Sequence, residues 1–255
     1  MIRLPTVPVA GIPIADVERD RVVATAASLI GTAIPRLIAC VHVSGLLERN
    51  NARYVGALSA PDCLAYADGI SVELLGRVAG AEHIQRCPMT DSGHELLDAL
   101  SVRPRVALIG GPGGLAERAA ERLVDRHAID VVMVSDGFPP AWEPVTRQLR
   151  EQRPDLVFVG LGTPYEVLWY DQHRDQLPPA VYLTAGGWFG HIVGDERRAP
   201  GWARRVGLEW MYRMSQRPRD LVPRYTRGAV TILRILPRTA IAGRRRRRDR
   251  DRRRA

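Results

Sequence analysis

The sequence predicts an α/β fold, a parallel sheet with helices on both faces, and three observations predict it. Short apolar runs rich in Val, Ile and Leu recur between residues 36 and 187. Amphipathic stretches with helical spacing fill several of the gaps. Most of the apolar runs end in a turn containing glycine. Strand–helix alternation of this kind is how a chain builds a parallel sheet and covers both of its faces. With 255 residues, 45% hydrophobic and 25% charged, the chain suits one large α/β unit and a small appendage.

In order, the candidate strands are RLIACVHVS (36–44), CLAYA (63–67), RVALIGG (105–111), DVVMVSD (130–136), DLVFVGLG (155–162) and AVYLTAGG (180–187). The clearest helical patterns are LAERAAERLVDRH (115–127) and PAWEPVTRQLREQ (140–152). Together they describe a Rossmann-like unit over 1–201. After Pro200 the pattern changes. Residues 202–242 mix Arg with Trp and aliphatic residues and show no strand, so they read as a helical appendage. Arg interleaved with apolar residues suits a helix lying in a membrane interface, or one packed on the sheet with Arg as its wet face. The last segment, 243–255, holds nine Arg and two Asp, and a run of like charges is expected to be disordered.

That tail carries seven of the nine net positive charges, so the body is close to neutral. Three cysteines without C-x-x-C spacing argue against a disulfide framework or zinc site and fit a reducing cytosol. The N-terminus has no secretory pattern. No run reaches the ~20 apolar residues of a membrane span, since Pro35 and Arg36 interrupt the most apolar stretch.

The chemistry is expected at the strand ends, where open α/β sheets bind ligands. Glycine turns lie at 67–69, 110–114, 135–137, 160–164 and 185–188. Gly110 and Gly111 precede a helix whose N-terminus suits a diphosphate, though the spacing is neither a P-loop nor G-x-G-x-x-G. Asp68, in an Asp-Gly pair, can act as a general base or bind a sugar hydroxyl. Asp136 and Gly137 form a second such pair, and both pairs also read as simple turns. Asp249-Arg250-Asp251 spells D-x-D, but the surrounding guanidinium groups would repel a cation. The six His lack ligand spacing, so no metal and no cofactor are expected.

A set of segments in order makes the chain recognisable: YADGISVELLGRV (66–78), Arg86, RVALIGGPGGLAERAAERL (105–123), VSDGF (134–138), LVFVGLGTPYE (156–166), AGGWFGHIVGDERRAPGW (185–202) and GLEWMYRMSQRPRDLVPRY (207–225). The chain resembles the WecG/TagA/CpsF family of bacterial glycosyltransferases over all but the Arg tail. The resemblance implies an inverting, metal-independent transfer of a hexose or N-acetylhexosamine-type sugar. The donor is a UDP-sugar, and the acceptor a sugar on undecaprenyl diphosphate, in cell-envelope polysaccharide or teichoic-acid-like synthesis. It implies Asp68 as catalytic base and Arg86 as a phosphate contact.

Cys40 and His42 stand where many members have Thr and Asn, and Gly162-Thr163-Pro164-Tyr165-Glu166-Val167 stands at the family's G-x-P-x-Q-E. Asp220 and Pro223 fall at usual Arg positions, with Arg213, Arg217, Arg219 and Arg224 close by. Substrate contacts are therefore expected from Cys40, His42, Arg86, Gly110, Gly111, Asp136, Gly137, Gly162, Pro164, Glu166, Gly186, Gly187 and Arg213. A carboxylate beside a diphosphate must be paired or hydrogen-bonded. Glu166 is thus expected to meet a substrate hydroxyl or an Arg. The expected location is cytoplasmic, peripheral on the inner face of an anionic plasma membrane, with a homo-oligomer left open and no specific nucleic acid. Two other readings stay open: a diverged nucleotide-sugar binder without catalysis, and, from the tail alone, a nucleic-acid binder.

Overall fold

The computed structural model describes residues 4–195, 200–201, 209–216 and 218–254, without the side chains of 209, 213, 216, 220, 224, 253 and 254. A two-stranded hairpin opens it, β1 (Thr6–Val9) and β2 (Ile12–Ala15), antiparallel and joined by Ala10-Gly11. Both turn residues have positive φ, 53° and 87°, the geometry that matches strand twist in a two-residue hairpin.

Six parallel strands follow: β3 (Arg36–Val41), β4 (Cys63–Ala67), β5 (Arg105–Gly110), β6 (Asp130–Ser135), β7 (Leu156–Gly160) and β8 (Val181–Thr184). Their order across the sheet is β4-β3-β8-β7-β5-β6. All six sit where the apolar runs place them; β4 keeps the expected bounds and the other five are shorter. Along β7, Val157 and Val159 face one core cluster while Leu156 and Phe158 face the other. This is why the strands read as continuous apolar runs rather than alternating ones.

The first face carries the hairpin with α2 (Val43–Leu47), α3 (Ala52–Leu58), α4 (Ile70–Val78), α7 (Glu143–Gln152) and α8 (Tyr165–His173). The second carries α1 (Arg19–Ser28), α5 (Met89–Asp98), α6 (Leu115–Arg126) and α9 (Trp188–Val193). The run expected as one strand over 36–44 splits at His42. The imidazole accepts the Ser44 N–H and caps α2, so extended chain gives way to helix there.

A short helix, Glu209–Gln216, leads to a long C-terminal helix, Pro218–Arg254. The long helix packs across α2 and α4. Gly228 lies against Val43, and any side chain there would collide with it. This helix runs into the Arg-rich tail, as far as Arg254. Three of the tail's nine Arg have contacts on the body among the described residues: Arg246 donates to the Thr6 carbonyl (3.1 Å) and Arg247 to the Arg77 carbonyl (2.9 Å), with Arg250 beside them. Arg250 pairs with Glu82 at 3.1 Å. Arg77 lies in the last turn of α4, where helix carbonyls are free and attract cations. No helix among the described residues is long and apolar enough to cross a membrane.

Candidate active site

A cavity of about 600 Å³ opens at the carboxyl ends of β3, β4, β7 and β8. From the strand ends come Cys40, His42, Asp68, Gly162, Thr163, Gly186 and Gly187, joined by Arg86 and by Thr90 of α5. The opposite wall is apolar, with Ile70, Leu74 and Val78 of α4 facing Ala229, Ile232 and Leu236 of the long helix. Trp210 and Tyr225, with ring centres 5.5 Å apart and planes tilted by 50°, lie on the same wall. Polar and apolar surfaces therefore meet in one cavity, as a ligand with a charged head and a greasy end requires.

Asp68 is the first residue beyond β4, and its N–H donates to the Val41 carbonyl (3.0 Å). That bond extends the β3–β4 ladder by one residue and delivers the carboxylate to the cavity on a rigid strand end. His42 occupies the matching place beyond β3. Its Nδ1 accepts from Ser44, so the hydrogen-bond network assigns the proton to Nε2, which lies 3.3 Å from Thr163 Oγ1. Arg86 is set by its backbone: its N–H donates to Glu73, which also pairs with Arg77 at 2.8 Å.

Cys40 receives a hydrogen bond from the Thr184 hydroxyl (3.2 Å). Burial, then the charges of Asp68 and Glu166, push its thiol well above the usual range. It is a neutral wall residue, with none of the thiolate character a nucleophile needs.

Glu166 departs from expectation. It is buried, and among the described residues it meets no Arg and does not line the cavity. One oxygen accepts the N–H groups of Gly162 (3.1 Å) and Gly186 (2.6 Å). Two converging amides satisfy the carboxylate in place of a cation. Pro164, in a cis peptide after Thr163, also lies behind the cavity wall.

Four predicted contacts lie elsewhere. Gly110, Gly111, Asp136 and Gly137 gather beyond β5 and β6 and do not line the cavity. Gly110 is there for packing, since a side chain would strike the Gly160 backbone of β7. Asp136 accepts the Gly114 N–H (3.1 Å), so a donor at the start of α6 already has an anion. The Arg213 side chain and all of Arg217 lie outside the described residues.

Sequence reasoning passed over Thr163, Trp210 and Tyr225, although all three lie inside the recognised segments. It also passed over Phe138 and Tyr165, an exposed aromatic pair with ring centres 5.9 Å apart. Phe138 holds a φ of 62°, unusual for a bulky residue and worth a functional question.

Comparison with known proteins puts this geometry in context. Over 176 residues, 68% of each chain, the protein is 32% identical to a Bacillus spizizenii N-acetylglucosaminyldiphosphoundecaprenol N-acetyl-beta-D-mannosaminyltransferase. It is 31% identical over 191 residues to the Bacillus subtilis protein of the same name, covering 74% of this chain and 73% of that one. The model of the glycosyl transferase WecG/TagA/CpsF family matches residues 7–249. The protein is therefore a glycosyltransferase, and it belongs to the WecG/TagA/CpsF family.

Proposed function

We propose that this enzyme transfers an N-acetylhexosamine-type sugar from a UDP donor to a sugar carried on undecaprenyl diphosphate, with inversion and without a metal. N-acetylmannosamine is the first donor sugar to test, because two relatives are named for that transfer. The observation that carries the reading is the placement of Asp68 beside Arg86, His42 and Thr163 in a cavity whose other wall is apolar. The acceptor sugar fits the polar end, and its prenyl chain follows Leu74, Ile232 and Leu236 outward.

Asp68 takes the proton from the acceptor hydroxyl as that oxygen attacks the anomeric carbon. The bond to UDP breaks, and its electron pair leaves on the diphosphate. Arg86 meets that charge as a fixed cation on the cavity wall. Phe138 and Tyr165 offer faces on which a nucleobase can stack.

The long helix supplies the approach to the membrane. Val222, Val230, Leu233 and Ile241 are exposed on it, with Arg227, Arg234 and Arg238 exposed among them. That pattern lets a helix lie in an anionic lipid surface at the inner face of the membrane.

The test is an assay in EDTA with UDP-N-acetylmannosamine and a short-chain prenyl-diphosphate N-acetylglucosamine. Product of inverted configuration is expected, and Asp68→Asn should cut turnover by about 100-fold or more while UDP still binds. Near-wild-type turnover in that variant would remove Asp68 from the mechanism. Activity only with added divalent metal would overturn the metal-free reading.

A further inference from the structure

Glu166 stands in the first turn of α8 at 2% exposure. Gly162 begins the loop after β7, and Gly186 lies in the loop after β8. Glu166 Oε1 accepts from both, and both glycines line the cavity. The carboxylate thus ties together two loops that share no other side-chain bridge among the described residues. Among those residues no cation is paired with it. The titratable groups near it are Cys40 at the end of β3, Asp68 beyond β4 and Tyr54 of α3, each sensing its charge or sensed by it. His42, Arg86, His191 and Tyr225 are the other titratable groups that line the cavity among the described residues.

We propose that Glu166 is a proton-linked positioning residue: it pins the two strand-end loops and takes up a proton when a nucleoside diphosphate binds between them. The inference rests on reading the cavity as a nucleotide-sugar site. Two charge states of Glu166 can hold the loops, because the carbonyl oxygen of a protonated carboxyl still accepts hydrogen bonds. Only one of them suits an incoming anion. An ionised Glu166 repels a diphosphate across a dry wall, and a neutral one does not. Burial pushes its carboxyl up to about 7, against the pull of the two amide bonds, and Asp68 adds to the rise. A diphosphate nearby acts in the same direction as Asp68. One proton from solvent therefore neutralises one buried charge as the anion enters, and the amide bonds are kept.

UDP alone is the probe, titrated calorimetrically near pH 7.5 in buffers of different ionisation enthalpy. The terminal phosphate of UDP also exchanges protons, so the difference between wild type and Glu166→Gln is the reading. Wild type should take up an additional fraction of a proton per UDP, and Glu166→Gln should lack it. Glu166→Ala should lower turnover by about tenfold or more, through loss of both amide bonds, and Gln should restore most of it. Equal proton uptake in wild type and the Gln variant would overturn the linkage, and full turnover in the Ala variant would overturn the positioning. If UDP binds neither protein, the nucleotide-sugar reading itself fails and takes this inference with it.

Discussion

The two walls of the cavity are built by different means. The strand-end wall is held by hydrogen bonds to the backbone: the Asp68 N–H on the Val41 carbonyl, the His42 imidazole on the Ser44 N–H, and the Glu166 carboxylate on the Gly162 and Gly186 N–H groups. The helical wall, Tyr225 to Leu236, is set by steric fit at Gly228 and by Arg side chains at the far end of the same helix. Bonded walls fix reacting groups to within fractions of an ångström, as a catalytic base requires. A wall placed by shape can shift as a body, and that suits a lipid whose length lies outside the protein.

Three changes would break or sharpen this contrast. The largest effect is expected from a chain ending at Gly201, which keeps the bonded wall and loses the other. Such a chain should lose binding to anionic vesicles, and its transfer to the lipid-linked acceptor should fall by about 100-fold or more, since positioning alone can carry that much. Unchanged vesicle binding and transfer would show that the helical wall is not part of the site. A smaller effect is expected from Gly228→Leu, which forces the helix off Val43. Overpacking of this kind costs about 1–3 kcal/mol, and turnover should fall by roughly tenfold with UDP affinity unchanged. Equal losses in turnover and UDP affinity would mean that the walls are not separable. The smallest is expected from replacing Arg246, Arg247 and Arg250 together by Ala. Amide exchange over 243–254 should become fast, while turnover on a soluble acceptor stays within about threefold, because only surface hydrogen bonds are lost. Continued protection of those amides would show that the helix end needs no anchor.

The same contrast explains what could be read in advance. The six sheet strands were legible because burial on both faces forces unbroken apolar runs. Asp68 and Arg86 stand out as family landmarks and Cys40 and His42 as departures at family positions, and all four line the cavity. The opening hairpin was not, because Pro8 and Pro13, paired across it, disguise its alternation. The loop at 110–114 looked like a phosphate cradle, yet Gly110 answers to the backbone of Gly160, a contact fifty residues away in the chain. Glu166 was expected to meet a substrate hydroxyl or an Arg; its hydrogen-bond partners among the described residues are two amides from separate loops, and no local pattern encodes that convergence. The Arg run reads as disordered because like charges repel, and nothing local in it names the groups that Arg246 and Arg247 reach. The carbonyls of Thr6 and Arg77 that receive them come from the other end of the sequence.

The long helix has a mechanical consequence. At about 1.5 Å per residue, its 37 residues form a rod of roughly 55 Å. The rod is moored at Gly243–Arg250 and bears on the cavity between Tyr225 and Leu236. Pro237 falls between mooring and bearing, where it removes one rung of the hydrogen-bond ladder and leaves the rod a softer joint. A load applied to the exposed side of the bearing segment is therefore taken up as rotation about that joint. The cavity can widen or narrow while the moored end stays in place, and Pro237→Ala, by restoring the rung, should stiffen that rotation and slow amide exchange around the joint.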